Sequence, residues 1–198
     1  MARIIGITGG IASGKSTVTE FLRQQGYQVI DADQVVHELQ EPGERLYQAL
    51  LSAFGPAILQ EDGRLDRLKL GAMIFGNPEL LAKSSQIQNQ IIREELAHRR
   101  DLLAETEDIF FMDLPLLFEL GYESWFDQVW LVDVTEETQL SRLMTRNALS
   151  QEEAEKRIAA QLSLQEKRNR ADVLIDNNGL LELTQEQLRD ALQKLERR

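Results

Sequence analysis

The run Gly9-Gly10-Ile11-Ala12-Ser13-Gly14-Lys15-Ser16 has the spacing G-x-x-x-x-G-K-[ST] of a phosphate-binding loop, or P-loop. Each residue type has a physical reason to be there. Glycines let the backbone wrap an anion, so that N–H groups converge on phosphate oxygens. The first turn of a following helix adds its positive dipole end. Lys15 would set a cation beside the β- and γ-phosphates, and the Ser16 hydroxyl is a ligand for Mg²⁺. A β-branched run from Arg3 to Thr8 precedes the loop, and a helical pattern with Val18, Phe21 and Leu22 follows it. This is the strand–loop–helix context that the motif requires. The expectation is a nucleoside triphosphate site formed by Gly9, Gly10, Ile11, Ala12, Ser13, Gly14, Lys15, Ser16 and Thr17.

Three further groups of residues bear on that chemistry. Asp31-Ala32-Asp33 ends a short strand pattern, where an acid points toward the ligand edge of an open sheet. If the strand continued through it, Asp31 and Asp33 would share a face. Either can align and deprotonate an acceptor hydroxyl, and either can equally cap the helix that leads to His37. Asp31 is the better placed to hold the turn, and Asp33 the better placed in the crevice. Asp113 closes the apolar run Ile109-Phe110-Phe111-Met112, where a carboxylate reaches Mg²⁺ directly or through water; capping a turn before Pro115 is the alternative. Arg142, Arg146 and Arg157 lie in a charged helical stretch; Arg142 and Arg146 share a helix face at i, i+4. A mobile segment carrying arginines suits phosphoryl transfer, while a solvated charged helix explains them equally well.

The elements that must position these residues follow from periodicity. Strands are expected at Arg3–Thr8, Gln28–Asp31, Ile109–Asp113, Gln128–Val134 and Asp172–Asp176, separated by helical segments long enough to cross over, which implies a parallel sheet with both faces covered. Gly26 should end the first helix. Between Asp33 and Asp108 the pattern gives helices at His37–Gln40, Leu46–Phe54, Asp66–Phe75 and from Pro78 to about Glu105, an inserted helical subdomain above the strand ends. The stretch from Glu136 to about Arg170 is helical and broken near Asn147–Ser150, where Ser150 and Glu153 fit a capping box. Leu188, Leu192 and Leu195 give the tail from Leu183 one apolar face.

Composition narrows the class. A chain of 198 residues fits one domain with an insertion. The net charge of −11 argues against general nucleic-acid binding. Cysteine is absent, and the only histidines are His37 and His98, which excludes thiolate metal centres and disfavours a histidine site. No apolar run reaches membrane-spanning length, and Met1-Ala2-Arg3-Ile4-Ile5 runs into a strand without a signal-peptide layout, so a cytoplasmic protein without membrane contact is expected.

Taken together, Thr8 to Thr17, Asp31-Ala32-Asp33, Pro42-Gly43, Asp113-Leu114-Pro115-Leu116-Leu117-Phe118-Glu119, Arg142, Arg146, Gln161 and Ala171-Asp172 leading to Ile175-Asp176-Asn177-Asn178-Gly179 resemble the dephospho-CoA kinase family. The resemblance spans nearly the whole chain, and Asp-Ala-Asp combined with Pro-Leu-Leu-Phe-Glu is its specific part. It implies a P-loop NTPase of α/β class: a three-layer α/β/α fold with a five-stranded parallel sheet and a nucleotide-kinase-like core. The core would be residues 1–33, 108–135 and 171–198, with a helical acceptor subdomain at 34–107 and a lid at 136–170. It implies transfer of phosphate from ATP, with Mg²⁺, to the 3′-hydroxyl of dephospho-CoA. Under it Asp33 is the base, Lys15, Arg142 and Arg146 act on the phosphates, and Ser16 and Asp113 hold the metal. Asn177 and Asn178 lie at the adenine, and Asp33, Leu116, Leu117, Phe118, Glu119 and Gln161 at the acceptor. Two departures stand out: Ala12 occupies a place where the family usually carries Gly, and Gln88-Asn89-Gln90-Ile91-Ile92-Arg93 replaces a segment with a His-Pro pair.

Two rivals remain. Asn169-Arg170-Ala171-Asp172 is similar to the guanine-reading motif of regulatory GTPases and Asp176-Asn177-Asn178-Gly179 to D-x-x-G, but their order is reversed and Arg170 replaces lysine. A kinase of the same core acting on a nucleoside monophosphate, shikimate or gluconate would share the P-loop.

Overall fold

A computed structural model describes residues 2–197. Its centre is a parallel sheet in the order β2-β3-β1-β4-β5, formed by β1 (Arg3–Gly9), β2 (Val29–Asp31), β3 (Ile109–Asp113), β4 (Gln128–Asp133) and β5 (Val173–Asp176), with helices on both sides. The three middle strands are near-continuous apolar runs because both of their faces are covered. Ile5, Ile7, Phe110, Phe111, Met112, Trp130, Leu131 and Val132 are all fully buried. The strands are a residue shorter at some ends than periodicity suggests: Gln28, Asp172 and Val134 fall outside. Asp172 instead accepts a hydrogen bond from the Val129 N–H at 2.7 Å, pinning the start of β4.

β1 is central, with β3 on one side and β4 on the other. Chain connections therefore leave β1 and its neighbours in different directions. That opens a crevice at the carboxyl ends of these strands, where the P-loop follows β1. Helix α1 (Lys15–Gln24) leaves the loop and stops as expected: Gln25 is its C-cap, and Gly26 follows at φ 94°. α9 (Leu181–Glu196) buries Leu188, Leu192 and Leu195 in the same core as Val18, Phe21 and Leu22 of α1.

The chain divides into two compact units, one made of Asp31–Leu102 and the other of the rest. The first contains α2 (Ala32–Leu39), α3 (Arg45–Phe54), α4 (Arg67–Ile74) and most of α5 (Pro78–Ala104). Leu46, Leu50, Ile58 and Leu96 form its apolar interior, and Arg99 bridges Glu38 at 2.7 Å and Glu95 at 2.8 Å. The sequence expectation of a helix at His37–Gln40 is corrected: α2 begins at Ala32. The Asp31 carboxylate accepts from the Asp33 and Gln34 N–H groups, which caps the helix and stops the strand. Asp31 and Asp33 thus do not alternate along an extended strand. In α5 the side-chain amides of Gln88 and Gln90 donate along their own helix, to Ser84 and Glu94.

In the other unit, the charged stretch forms α6 (Glu136–Asn147), α7 (Gln151–Ala159) and α8 (Leu164–Arg170). Ala148 in the left-handed region at φ 50° ends α6, and the Ser150–Glu153 capping box starts α7. Those hydrogen bonds lower the Glu153 carboxyl pKa. A second capping box, Ser163–Glu166, starts α8. Among the described residues no helix is long and apolar enough to cross a membrane.

Candidate active site

The glycine-rich loop turns back on its own strand so tightly that a Cβ at Gly9 would lie 2.4 Å from Ser13 Oγ. Gly14 is the N-cap of α1 at φ 86°, and no side chain caps the helix. The Thr17 N–H donates to the Gly14 carbonyl at 3.1 Å; no side chain competes for the other N–H groups at the start of α1, and its first turn carries no acidic residue to repel an anion. Ala12 also sits in the left-handed region, at φ 62°. A residue with a Cβ costs about 1–2 kcal/mol there, which explains why glycine suits this position. Ala12→Gly is expected to stabilise the protein by about 1 kcal/mol, raising the melting temperature by about 2–4 °C. A fall in melting temperature on thermal unfolding would contradict this account of the loop.

A cavity of about 800 Å³ opens over the loop. Its wall includes Ala12, Gly14, Ser16 and Thr17 from the loop and α1, Arg142 and Arg146 from α6, and Asn177 and Gly179 after β5. The volume lies within the ordinary range of small-ligand sites. Arg142 donates to the Asn177 carbonyl at 2.9 Å. Arg146 is exposed and donates through Nε to Asn147. Arg157, on the exposed side of α7, does not line the cavity. Lys15 Nζ stands 3.8 Å from Asp113 Oδ1 at the end of β3. The cavity wall thus carries two cationic side chains, Arg142 and Arg146, together with the acidic Glu20, and the glycine-rich loop beneath it is suited to holding phosphates.

Oxygen donors for a cation are at hand in the Ser16 hydroxyl and the Asp113 carboxylate. No group of three or more Asp, Glu, His or Cys side chains that could hold a metal ion by themselves occurs among the described residues. This donor set fits Mg²⁺, a hard ion that takes most of its ligands from substrate phosphates and water.

Several residues matched to the site by sequence have specific structural partners. The Asn177 side chain is buried; its Nδ2 donates to the Ser13 carbonyl at 2.8 Å and its Oδ1 accepts from Thr184. Asn178 Oδ1 accepts from the Thr135 N–H at 2.8 Å, beside the start of α6. Leu117 and Phe118 are buried: Leu117 lies on Gly6 of β1, and the Arg170 guanidinium covers the Phe118 ring at 4.6 Å. Leu116 is partly exposed. Glu119 Oε1 accepts from the Leu162 N–H at 3.0 Å and pairs at 2.8 Å with the fully buried Lys167. The Gln161 side chain accepts from the Ile11 N–H and so meets the P-loop itself. Asp33 is exposed in the first turn of α2, in the Asp31–Leu102 unit.

Two groups escaped the sequence reading. Gln139 is buried and donates to the Ile11 carbonyl at 2.9 Å. Its signal was a polar residue four positions before the core residue Leu143, on the inward face of α6. Arg168 pairs with Asp133 at 2.7 Å, and this hydrogen bond raises its pKa.

Comparison with known proteins agrees with this architecture. The sequence model described as dephospho-CoA kinase matches residues 3–182. The dephospho-CoA kinase of Streptococcus mutans serotype c is 60% identical over 196 residues, 99% of each chain. The solved structure of TT1252 from Thermus thermophilus superposes with a TM-score of 0.82 at 36% identity, and dephospho-CoA kinase from Campylobacter jejuni with 0.75 at 28%, each over 98% of both chains. With its loop, strand order and nearly every residue aligned to these proteins, the chain belongs to the dephospho-CoA kinase family.

Proposed function

We propose that this protein transfers the γ-phosphoryl group of ATP to the 3′-hydroxyl of dephospho-CoA, giving coenzyme A, the last step of coenzyme A synthesis. The observation that carries this reading is the match to named dephospho-CoA kinases along almost the full chain. The cavity over the P-loop supports the phosphoryl-transfer half independently.

Such transfer asks the protein mainly for positioning and charge stabilisation, because the transition state is loose. The N–H groups at the start of α1 and the Lys15 ammonium would cradle the phosphates. Arg142 and Arg146 would meet charge developing on the transferred group, with residues 136–170 acting as the lid that carries them. Asp33 would align the acceptor hydroxyl and accept its proton, with residues 34–107 as the acceptor subdomain. Ser16 and Asp113 would hold Mg²⁺, which when bound neutralises phosphate charge. An ADP-release assay offering dephospho-CoA, shikimate, gluconate and a nucleoside monophosphate tests the reading. Turnover is expected with dephospho-CoA alone, and turnover with another acceptor in its place would overturn it.

The choice of Arg146 is separately testable. Its planar fork binds phosphate oxygens in a way that a lysine point charge does not reproduce. Arg146→Lys should therefore cost about 10-fold or more in turnover. Full turnover in Arg146→Lys, together with loss in Arg142→Lys, would transfer the role to Arg142.

A further inference from the structure

We infer that Gln139, Gln161 and Asn177 are positioning residues for the nucleotide: three side-chain carboxamides, from three separate elements, hold the outer side of the phosphate loop in its binding shape. The inference rests on the reading above only for the nature of the ligand. Gln161, in the link between α7 and α8, accepts from the Ile11 N–H at 2.9 Å. Gln139, on α6, donates to the Ile11 carbonyl at 2.9 Å. Asn177, after β5, donates to the Ser13 carbonyl at 2.8 Å. Between these held groups lies Ala12 at φ 62°. A strained backbone of this kind persists only where its surroundings over-determine it, and these three hydrogen bonds do so on both sides of it.

The chemistry of the grip matters as much as its geometry. A carboxamide offers both a donor and an acceptor, so it can satisfy an N–H or a carbonyl of the loop. It is also neutral. A carboxylate in its place would repel the phosphates, and an ammonium would compete with Lys15 for them. The fit is close: a Cβ at Gly10 would lie 2.4 Å from Gln139 Nε2, and one at Gly14 would lie 2.2 Å from Asn177 Nδ2.

The grip also links the loop to the arginines. Gln139 and Arg142 are three residues apart on α6, hence on neighbouring positions of one face. Arg142 in turn donates to the Asn177 carbonyl. A closed circuit therefore runs from Ile11 through Gln139, Arg142 and Asn177 back to Ser13. Loop shape and arginine placement are set together.

The test uses Gln139→Met and Gln161→Met, which keep length and neutrality but remove the hydrogen bond. ATP binding in the presence of Mg²⁺ is measured by calorimetry, alongside turnover, both KM values and melting temperature. Losing one neutral hydrogen bond should weaken ATP binding by about 3- to 10-fold, with the KM for dephospho-CoA within about twofold of wild type. Because both side chains act on Ile11, the double variant should lose less than the product of the single losses. Wild-type ATP affinity in either variant, or fully multiplicative losses, would overturn the inference, even with a lowered melting temperature. If Gln139→Met does not fold, Gln161→Met decides alone, since its side chain is only half-buried. If the wild-type protein binds ATP without phosphorylating dephospho-CoA, the proposed reaction fails, while the calorimetric series still tests the two glutamines that hold Ile11.

Discussion

Lys15→Ala is expected to lower turnover by about 10²-fold or more, the usual loss when a donor aimed at transition-state charge is removed. Lys15 is the first residue of α1, so the helix fixes its backbone at the place where the loop opens. Its Nζ is 3.8 Å from Asp113 Oδ1, a separation at which the pair is loose. The ammonium can turn toward phosphate without breaking a tight ion pair. Both side chains are largely buried, only 17% and 10% exposed, so removing the ammonium beside the Asp113 carboxylate should also lower the melting temperature. The expected signature is a kinetic loss that persists well below the unfolding transition, where the variant is fully folded, read from steady-state rates and thermal unfolding of the same preparation. Near-normal turnover would remove Lys15 from the site.

What was legible in the sequence is what local chemistry dictates. The loop spacing, the β-branched strand before it, Gly26 after α1, the Ser150–Glu153 capping box and the apolar face of α9 are all short-range patterns, and each is present. The Ser163–Glu166 box has the same signature and was readable in the same way. The start of α2 was missed because Asp31-Ala32-Asp33 is compatible with a strand end and with a helix start. The outcome turned on which N–H groups the Asp31 carboxylate found. The partners of Gln139 and Gln161 were not legible at all. Each meets Ile11 across well over a hundred residues of chain, and no spacing rule reaches that far. Asn177 shows the limit of carrying roles by motif. It lines the cavity over the loop, but its side chain is bonded to Ser13 and Thr184.

Asp33→Asn should lower turnover by about 10²–10⁴-fold, the range for loss of a general base, with little change in ATP affinity. The substitution keeps the shape of the side chain and removes its charge, so it isolates proton acceptance and alignment from packing. The structure separates this residue from its neighbour in a way that the spacing did not. The Asp31 carboxylate accepts from the Asp33 N–H at 2.9 Å and the Gln34 N–H at 3.1 Å, and is thereby used in starting α2. Asp33 is one residue into the helix, with its side chain exposed. Its position in the first turn places it near the positive end of the helix dipole, which favours a negative charge there. Asparagine is itself a good N-cap, so the variant that exposes the role of Asp31 is Asp31→Ala. It should cost about 1 kcal/mol, seen as a melting temperature lower by about 2–4 °C. Its effect on turnover should be far smaller than that of Asp33→Asn. Measuring turnover, ATP affinity and thermal unfolding for both variants assigns the two acids. Normal turnover in Asp33→Asn, or a larger kinetic loss in Asp31→Ala than in Asp33→Asn, would transfer the role of base away from Asp33.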